Sequence, residues 1–146
     1  MAKVEKEVTV IAPIEQVCAY ISEPANVPEF WPSVIEIKNV KPLPNGGYSG
    51  QWRYKMAGVT FNGRGTYIEV VPNQWLVIET KGGIKSRITW TFRSRGEITR
   101  VTLTIEYSIP IPLLGKLAEA IIVRMNDQEA DLVMANLRAR FMTASH

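Results

Sequence analysis

Few side chains in this sequence can do acid–base or nucleophilic chemistry. The one histidine, His146, is the last of 146 residues, and a terminal side chain is poorly held against a substrate. With no other histidine, neither a Ser-His-Asp nor a Cys-His arrangement can be assembled. The one cysteine, Cys18, lies between Val17 and Ala19 and reads as a small packed hydrophobe rather than a reactive thiol. It excludes an internal disulfide, and no Cys/His spacing of a metal site is present, so neither a metal nor a cofactor is expected. Gly63-Arg64-Gly65 falls inside an extended segment and is no phosphate-cradling loop. What remains is a small set of polar groups: Tyr54, Tyr107, Glu79, Gln128 and Arg53. On an inward strand face, Glu79 must be paired, wet or protonated. It then serves a ligand as a hydrogen-bond partner or general acid, or it lies past the core edge in solvent or against Arg64. Gln128 either reaches inward as a neutral polar contact or marks a bend. Glu106 falls on a polar face and reads as a surface residue.

The elements that would position these groups are written in the hydrophobic periodicity. Val101, Leu103, Ile105 and Tyr107 alternate with Arg100, Thr102, Thr104 and Glu106, and Ile88, Trp90 and Phe92 alternate with Arg87, Thr89, Thr91 and Arg93. Period two marks strands with one buried and one wet face. A turn at Ser94-Arg95-Gly96-Glu97 predicts a hairpin that places Trp90 across from Val101 and Ile88 across from Leu103. Further strands are expected over 3–11, 34–41 (at an edge), 48–56, 59–71 and 74–81, the last with Trp75, Val77 and Glu79 inward. Pairing Tyr54 with Phe61 turns odd residues of 59–71 inward, whereas pairing Val77 with Ile68 and Trp75 with Val70 turns even residues inward. A β-bulge within Asn62 to Gly65 would reconcile the two and bend the sheet.

Pro13 suits the first turn of a short helix running to Ser22, and 24–31 forms a second one stopped by Pro32. A long helix is expected over 114–141. Its apolar stripe runs through Leu114, Leu117, Ala118, Ile121 and Met125, then through Ala130, Val133, Met134, Leu137 and Phe141. The stripe drifts at Asn126-Asp127-Gln128, so the two halves touch different surfaces or the helix bends. This order predicts an α+β domain over 1–146: a curved seven-stranded antiparallel sheet, two short helices after the first strand and one long C-terminal helix.

Composition agrees, with 46% hydrophobic and 21% charged residues, as in ordinary globular chains. The net charge of +3 is spread without a dense basic run, so no nucleic-acid partner is expected. The apolar stretch 109–125 is broken by Lys116, Glu119 and Arg124 and contains Pro110, Pro112 and Gly115. It does not span a bilayer, leaving at most transient membrane contact. The N-terminal Met-Ala-Lys-Val-Glu-Lys-Glu has no apolar signal core, and a cytoplasmic protein is expected.

Three strings in order carry a resemblance: Val8 through Pro32; Ile88-Thr-Trp-Thr-Phe followed by Thr99 through Tyr107; and Ile109 to Lys116 leading into the helix that ends Asn136-Leu-Arg. Together they resemble the START-like superfamily, in its polyketide cyclase/dehydrase and coenzyme-Q-binding branch. The resemblance implies a helix-grip fold with a deep cavity between sheet and long helix. The expected cavity is bounded by Val77, Ile88, Trp90, Leu103, Ile105 and Tyr107 on the sheet and by Leu117, Ile121 and Met125 on the helix. Phe30, Trp31 and the 109–114 loop with Leu114 rim its mouth, and Tyr54, Glu79 and Gln128 are its polar groups. Trp52, Phe61 and Trp75 also project from faces taken as inner, and aromatic-lined cavities with few polar groups are typical ligand sites. Three functions follow. The chain binds or carries a hydrophobic small molecule (a lipid, quinone or polyketide-like compound). Alternatively it is a polyketide aromatase/cyclase using Tyr54, Tyr107, Glu79 and Arg53. A regulatory protein that uses the apolar loop as an interface is the third.

Overall fold

The alternating segments become seven strands of one antiparallel sheet: β1 (Ala2–Val10), β2 (Val34–Pro42), β3 (Tyr48–Met56), β4 (Val59–Val71), β5 (Trp75–Lys81), β6 (Lys85–Arg95) and β7 (Ile98–Ser108). The computed structural model describes the backbone of residues 2–56, 58–108 and 115–144, and the side chains of residues 3–55, 58–108 and 123–142. Across the sheet the order is β1-β7-β6-β5-β4-β3-β2. Strands β2 to β7 are a meander, and β1 joins it beside β7. Between β1 and β2 the chain must therefore travel from one sheet edge to the other. It does so through α1 (Ile14–Ser22), a 3-10 turn (Pro24–Asn26) and α2 (Val27–Phe30). The long helix α3 (Gly115–Ala144) follows β7. This is the expected helix-grip architecture. Among the described residues no helix is long and apolar enough to cross a membrane.

The second half of α3 buries the face that its spacing dictates: Ala130, Val133, Met134, Leu137 and Phe141 all belong to the core. Polar contacts set its position. Glu129 Oε1 accepts the Ser33 backbone N–H at 3.0 Å, and Asn136 Nδ2 donates to the Phe30 carbonyl at 3.2 Å. Lys6 of β1 reaches Asp127 at 3.1 Å and Asp131 at 3.2 Å. Arg140 lies 4.5 Å from the centre of the Tyr20 ring.

Pairing differs from the expected register in three places. In the β6–β7 hairpin Arg95 faces Ile98, so the loop is Gly96-Glu97, with Gly96 at φ +67°. Trp90 therefore faces Leu103 and Ile88 faces Ile105, two residues from the expected partners. A slip of two keeps every side chain on its face, because the strand period is two.

In β5, Leu76 pairs with Trp90 and Ile78 with Ile88. Leu76, Ile78 and Thr80 thus face inward, while Trp75, Val77 and Glu79 face outward. Both faces of β5 are apolar at one end, so alternation alone does not choose between them; pairing with β6 does.

The bulge in β4 lies at Tyr67–Glu69, not within Asn62–Gly65. Odd residues face inward through Tyr67, and Val70 faces inward opposite Leu76. The parity switch is real but falls later in the strand. The glycines serve another purpose. A Cβ on Gly63 would lie 2.5 Å from the Gly82 carbonyl oxygen and 2.8 Å from the Trp52 ring. Glycine there lets the β5–β6 turn and an indole pack against the β4 backbone.

Candidate functional site

Inward residues of β2 to β7 meet α1, α2 and α3 around a partly open cavity of about 140 Å³. The sheet supplies Trp52 and Tyr54 from β3, Tyr67 from β4, Ile78 from β5, Ile88 and Trp90 from β6, and Ile105 and Tyr107 from β7. Ile21, Val27, Phe30 and Trp31 cover it from the helical side, and Ile37 and Val40 of edge strand β2 form its outer wall. Gly50 and Gly65 keep two strand backbones bare. Trp90 anchors the covering segment edge-to-face, with ring centres 5.9 Å from Phe30 and 6.3 Å from Trp31.

Polar groups on the wall are few and mostly engaged. Tyr67 Oη donates to the Ser22 carbonyl at 2.7 Å, and Tyr54 Oη donates to Asn126 Oδ1 at 3.2 Å. Thr80 Oγ1 donates to the Ile84 carbonyl at 2.9 Å and touches Ser86 Oγ. Tyr107 Oη, Trp31 Nε1 and Trp52 Nε1 are buried without a well-formed hydrogen bond among the described residues. Burial raises the Tyr54 and Tyr67 phenols above their ordinary value, with the charge of Glu129 adding at Tyr54 and that of Glu23 at Tyr67. Burial also raises Tyr107, opposed by the adjacent Asn126 side chain. These phenols are therefore protonated donors at neutral pH. No Asp, Glu, His, Lys, Arg or Cys is among the described lining residues. The described wall can hold and orient a neutral molecule, and among the described residues it offers no charged acid or base.

Of the residues expected at the cavity, Phe30, Trp31, Tyr54, Ile88, Trp90, Ile105 and Tyr107 line it. Leu103 faces inward but is fully buried in the core opposite Trp90. Met125 is half-buried against the core. Val77 lies on the outer side of β5, because it shares a register position with Thr89 rather than with Ile88. Glu79 also faces outward, paired with Arg87 at 3.3 Å. Trp75 is likewise outward and exposed.

Gln128 is exposed, and Asn126 is the polar α3 residue that reaches the cavity. Asn126 precedes Ala130 by four residues and so shares the buried stripe, whereas Gln128 is rotated by ~200° from it. The side chains of Leu117 and Ile121, and all of Leu114, the 109–114 loop and His146, lie outside the described residues. Cys18 accepts the Asn73 backbone N–H at 3.4 Å and sits beside Ser22, a local packing role.

The sequence reading missed Ile78, Thr80, Ile84, Ser86 and Tyr67. The first two follow at period two once Leu76 is set opposite Trp90. Asn126 was signalled by its spacing of four from Ala130.

The family model described as polyketide cyclase / dehydrase and lipid transport matches residues 1–142. No curated protein matches the chain. Among solved structures, a Thermus thermophilus protein is 21% identical with a TM-score of 0.85, covering 99% of this chain and 100% of that one. A START superfamily protein from Mycobacterium smegmatis is 13% identical with a TM-score of 0.81, covering 97% and 98%. The Zhui aromatase/cyclase from a Streptomyces species is 13% identical with a TM-score of 0.78, covering 99% and 96%. At these identities the similarity concerns the fold.

Proposed function

The chain belongs to the polyketide cyclase/dehydrase and lipid transport family, and from that premise we propose that residues 1–146 bind or carry a hydrophobic small molecule in this cavity. One observation carries the reading: the cavity is walled by aliphatic and aromatic side chains, with no charged group among the described lining residues. Such a wall binds by area. Covering ~300 Å² of apolar ligand surface contributes about 7 kcal/mol before the costs of association. Phe30, Trp31, Tyr54, Ile88, Trp90, Ile105 and Tyr107 are the proposed contacts, and a lipid, quinone or polyketide-like compound is the proposed ligand class.

A second reading, aromatase/cyclase activity on a bound poly-β-keto chain, is favoured by three buried donors of the wall. Tyr107 Oη, Trp31 Nε1 and Trp52 Nε1 are groups that could hold carbonyl oxygens while the chain folds.

Native mass spectrometry of the purified protein tests for a co-purified ligand. Tryptophan fluorescence titration with a quinone and fatty-acyl panel then measures binding. Ile88→Trp, which fills the cavity, is expected to abolish binding while circular dichroism stays native. Glu79→Gln is expected to leave it unchanged, since Glu79 faces outward. If no panel member binds, but a poly-β-keto thioester is turned over and Tyr107→Phe stops turnover, the cyclase reading replaces the carrier.

A further inference from the structure

The reverse side of the wall formed by β2 to β5 has the opposite chemistry. Lys38 is in register with Gln51, Gln51 with Arg64, and Arg64 with Lys81. These four outward side chains form a row across four strands, spanning ~14 Å at ~4.8 Å per strand. Arg53 lies in the neighbouring row, opposite Glu36 on one side and Asn62 on the other. Together they line a groove of about 490 Å³ that holds Lys38, Arg53, Arg64 and Lys81 against a single carboxylate, Glu36.

Glu36 is 3.9 Å from Lys38. Arg53, Arg64 and Lys81 have no ion pair among the described residues. Like charges set directly opposite each other destabilise a sheet, so Arg64 facing Lys81 works against the fold. Elsewhere on the same outer face Arg87 pairs with Glu79 and Arg100 with Glu7. Arg93 faces Arg100 across β6 and β7, but that site has a carboxylate, Glu7, on the arginine opposite, whereas Arg64 and Lys81 have none among the described residues.

We propose that this groove docks an acidic face of a protein partner. Solvent-exposed cations hold a lone small anion only weakly in salt, whereas a macromolecular surface sums many such contacts. A single-stranded nucleic acid would need rings to stack on, and a duplex would need more phosphate contacts than four cations make. The groove's one aromatic, Trp52, packs its ring toward Gly63 and Gly65 on the other face. A membrane held by these charges alone would be held weakly, without apolar side chains to insert, and the groove offers no aliphatic side chain. Carboxylates on a protein face fit the two arginine forks, each of which a carboxylate meets with two hydrogen bonds. The docking surface does not depend on what fills the cavity behind it.

The test uses the intact protein and a fluorescently labelled poly-L-glutamate peptide, read by anisotropy across a salt series. Binding at low salt that weakens as salt rises is expected, with Arg64→Glu/Lys81→Glu weaker by about tenfold or more, since two attractive contacts become repulsive. Arg93→Glu, exposed on β6 outside the groove, is expected to bind like the unaltered protein. Circular dichroism checks each variant; if the double reversal does not fold, Lys38→Gln/Arg53→Gln takes its place with a smaller loss in the same direction. A dT oligonucleotide of equal charge and phosphatidylglycerol vesicles are expected to bind less tightly than the peptide. No peptide binding at low salt, an equal loss in Arg93→Glu, or tighter binding of the oligonucleotide or vesicles would each overturn the proposal.

Discussion

Tyr107 is 1% exposed, and its hydroxyl has no well-formed hydrogen bond among the described residues. A buried donor left in that state costs about 1–3 kcal/mol. Replacing it by Phe should therefore leave the free protein's stability unchanged or raise it by up to ~1 kcal/mol in urea unfolding. The same change should weaken a carbonyl-bearing ligand by about tenfold while sparing a plain alkyl ligand. Equal losses for both ligands would show that the hydroxyl makes no bond to either. Asn126 is the contrasting case: a polar residue in the buried stripe of α3, tied to Tyr54. It reads as part of a polar changeover in the sequence; its spacing of four from Ala130 turns it inward, and the contact with β3 supplies its hydrogen-bond partner.

Elements meet at residues chosen for what they lack or for what they reach. Gly63 has no room for a methyl group, whereas a Cβ on Gly65 would lie at an ordinary 3.6 Å from Trp52. Gly63→Ala is expected to destabilise by about 1–3 kcal/mol through overpacking. Gly65→Ala should be within about 1 kcal/mol of neutral, since it relieves glycine's entropy cost in a strand. Chemical denaturation of the pair separates local crowding from a general intolerance of β4. At the other edge, Lys6 joins β1 to α3 through Asp127 and Asp131. Both aspartates are more than half exposed, so Lys6→Met should cost no more than about 1 kcal/mol. That difference should shrink in high salt when denaturation curves are compared.

Across the whole molecule, the titrating groups with resolved shifts among the described residues act in one direction. Burial, together with the hydrogen bond to Glu29, pushes the Tyr20 phenol from 10.0 up to about 12. Tyr54, Tyr67 and Tyr107 are raised chiefly by burial. Lys6 is raised from 10.5 by its hydrogen bonds to Asp127 and Asp131. A group whose folded pKa lies above its unfolded one contributes stability that is fully present below the unfolded value and is lost as pH rises through the folded value. The melting temperature should therefore hold through neutral pH and fall steadily above pH ~10, with tyrosinate absorbance rising as the chain unfolds. Early, non-cooperative titration of all tyrosines would contradict this.

The sequence by itself determined the strands, the short helices and the buried stripe of α3 from Ala130 to Phe141. Those features rest on local periodicity and on prolines, and local signals survive without knowledge of partners. It also carried the inward parity of β3, β6 and β7, where one face is plainly polar. The tertiary structure decided the rest. On β5 both Trp75-Val77 and Leu76-Ile78 could be buried, and only pairing with β6 selects the second. The Gly63-Arg64-Gly65 string looked like a bulge, because a missing side chain looks alike whether a strand kinks or an indole packs over it. The cavity itself lies where helices α1 and α2 cross from one sheet edge to the other, and no local pattern reports how far apart two packed layers stand.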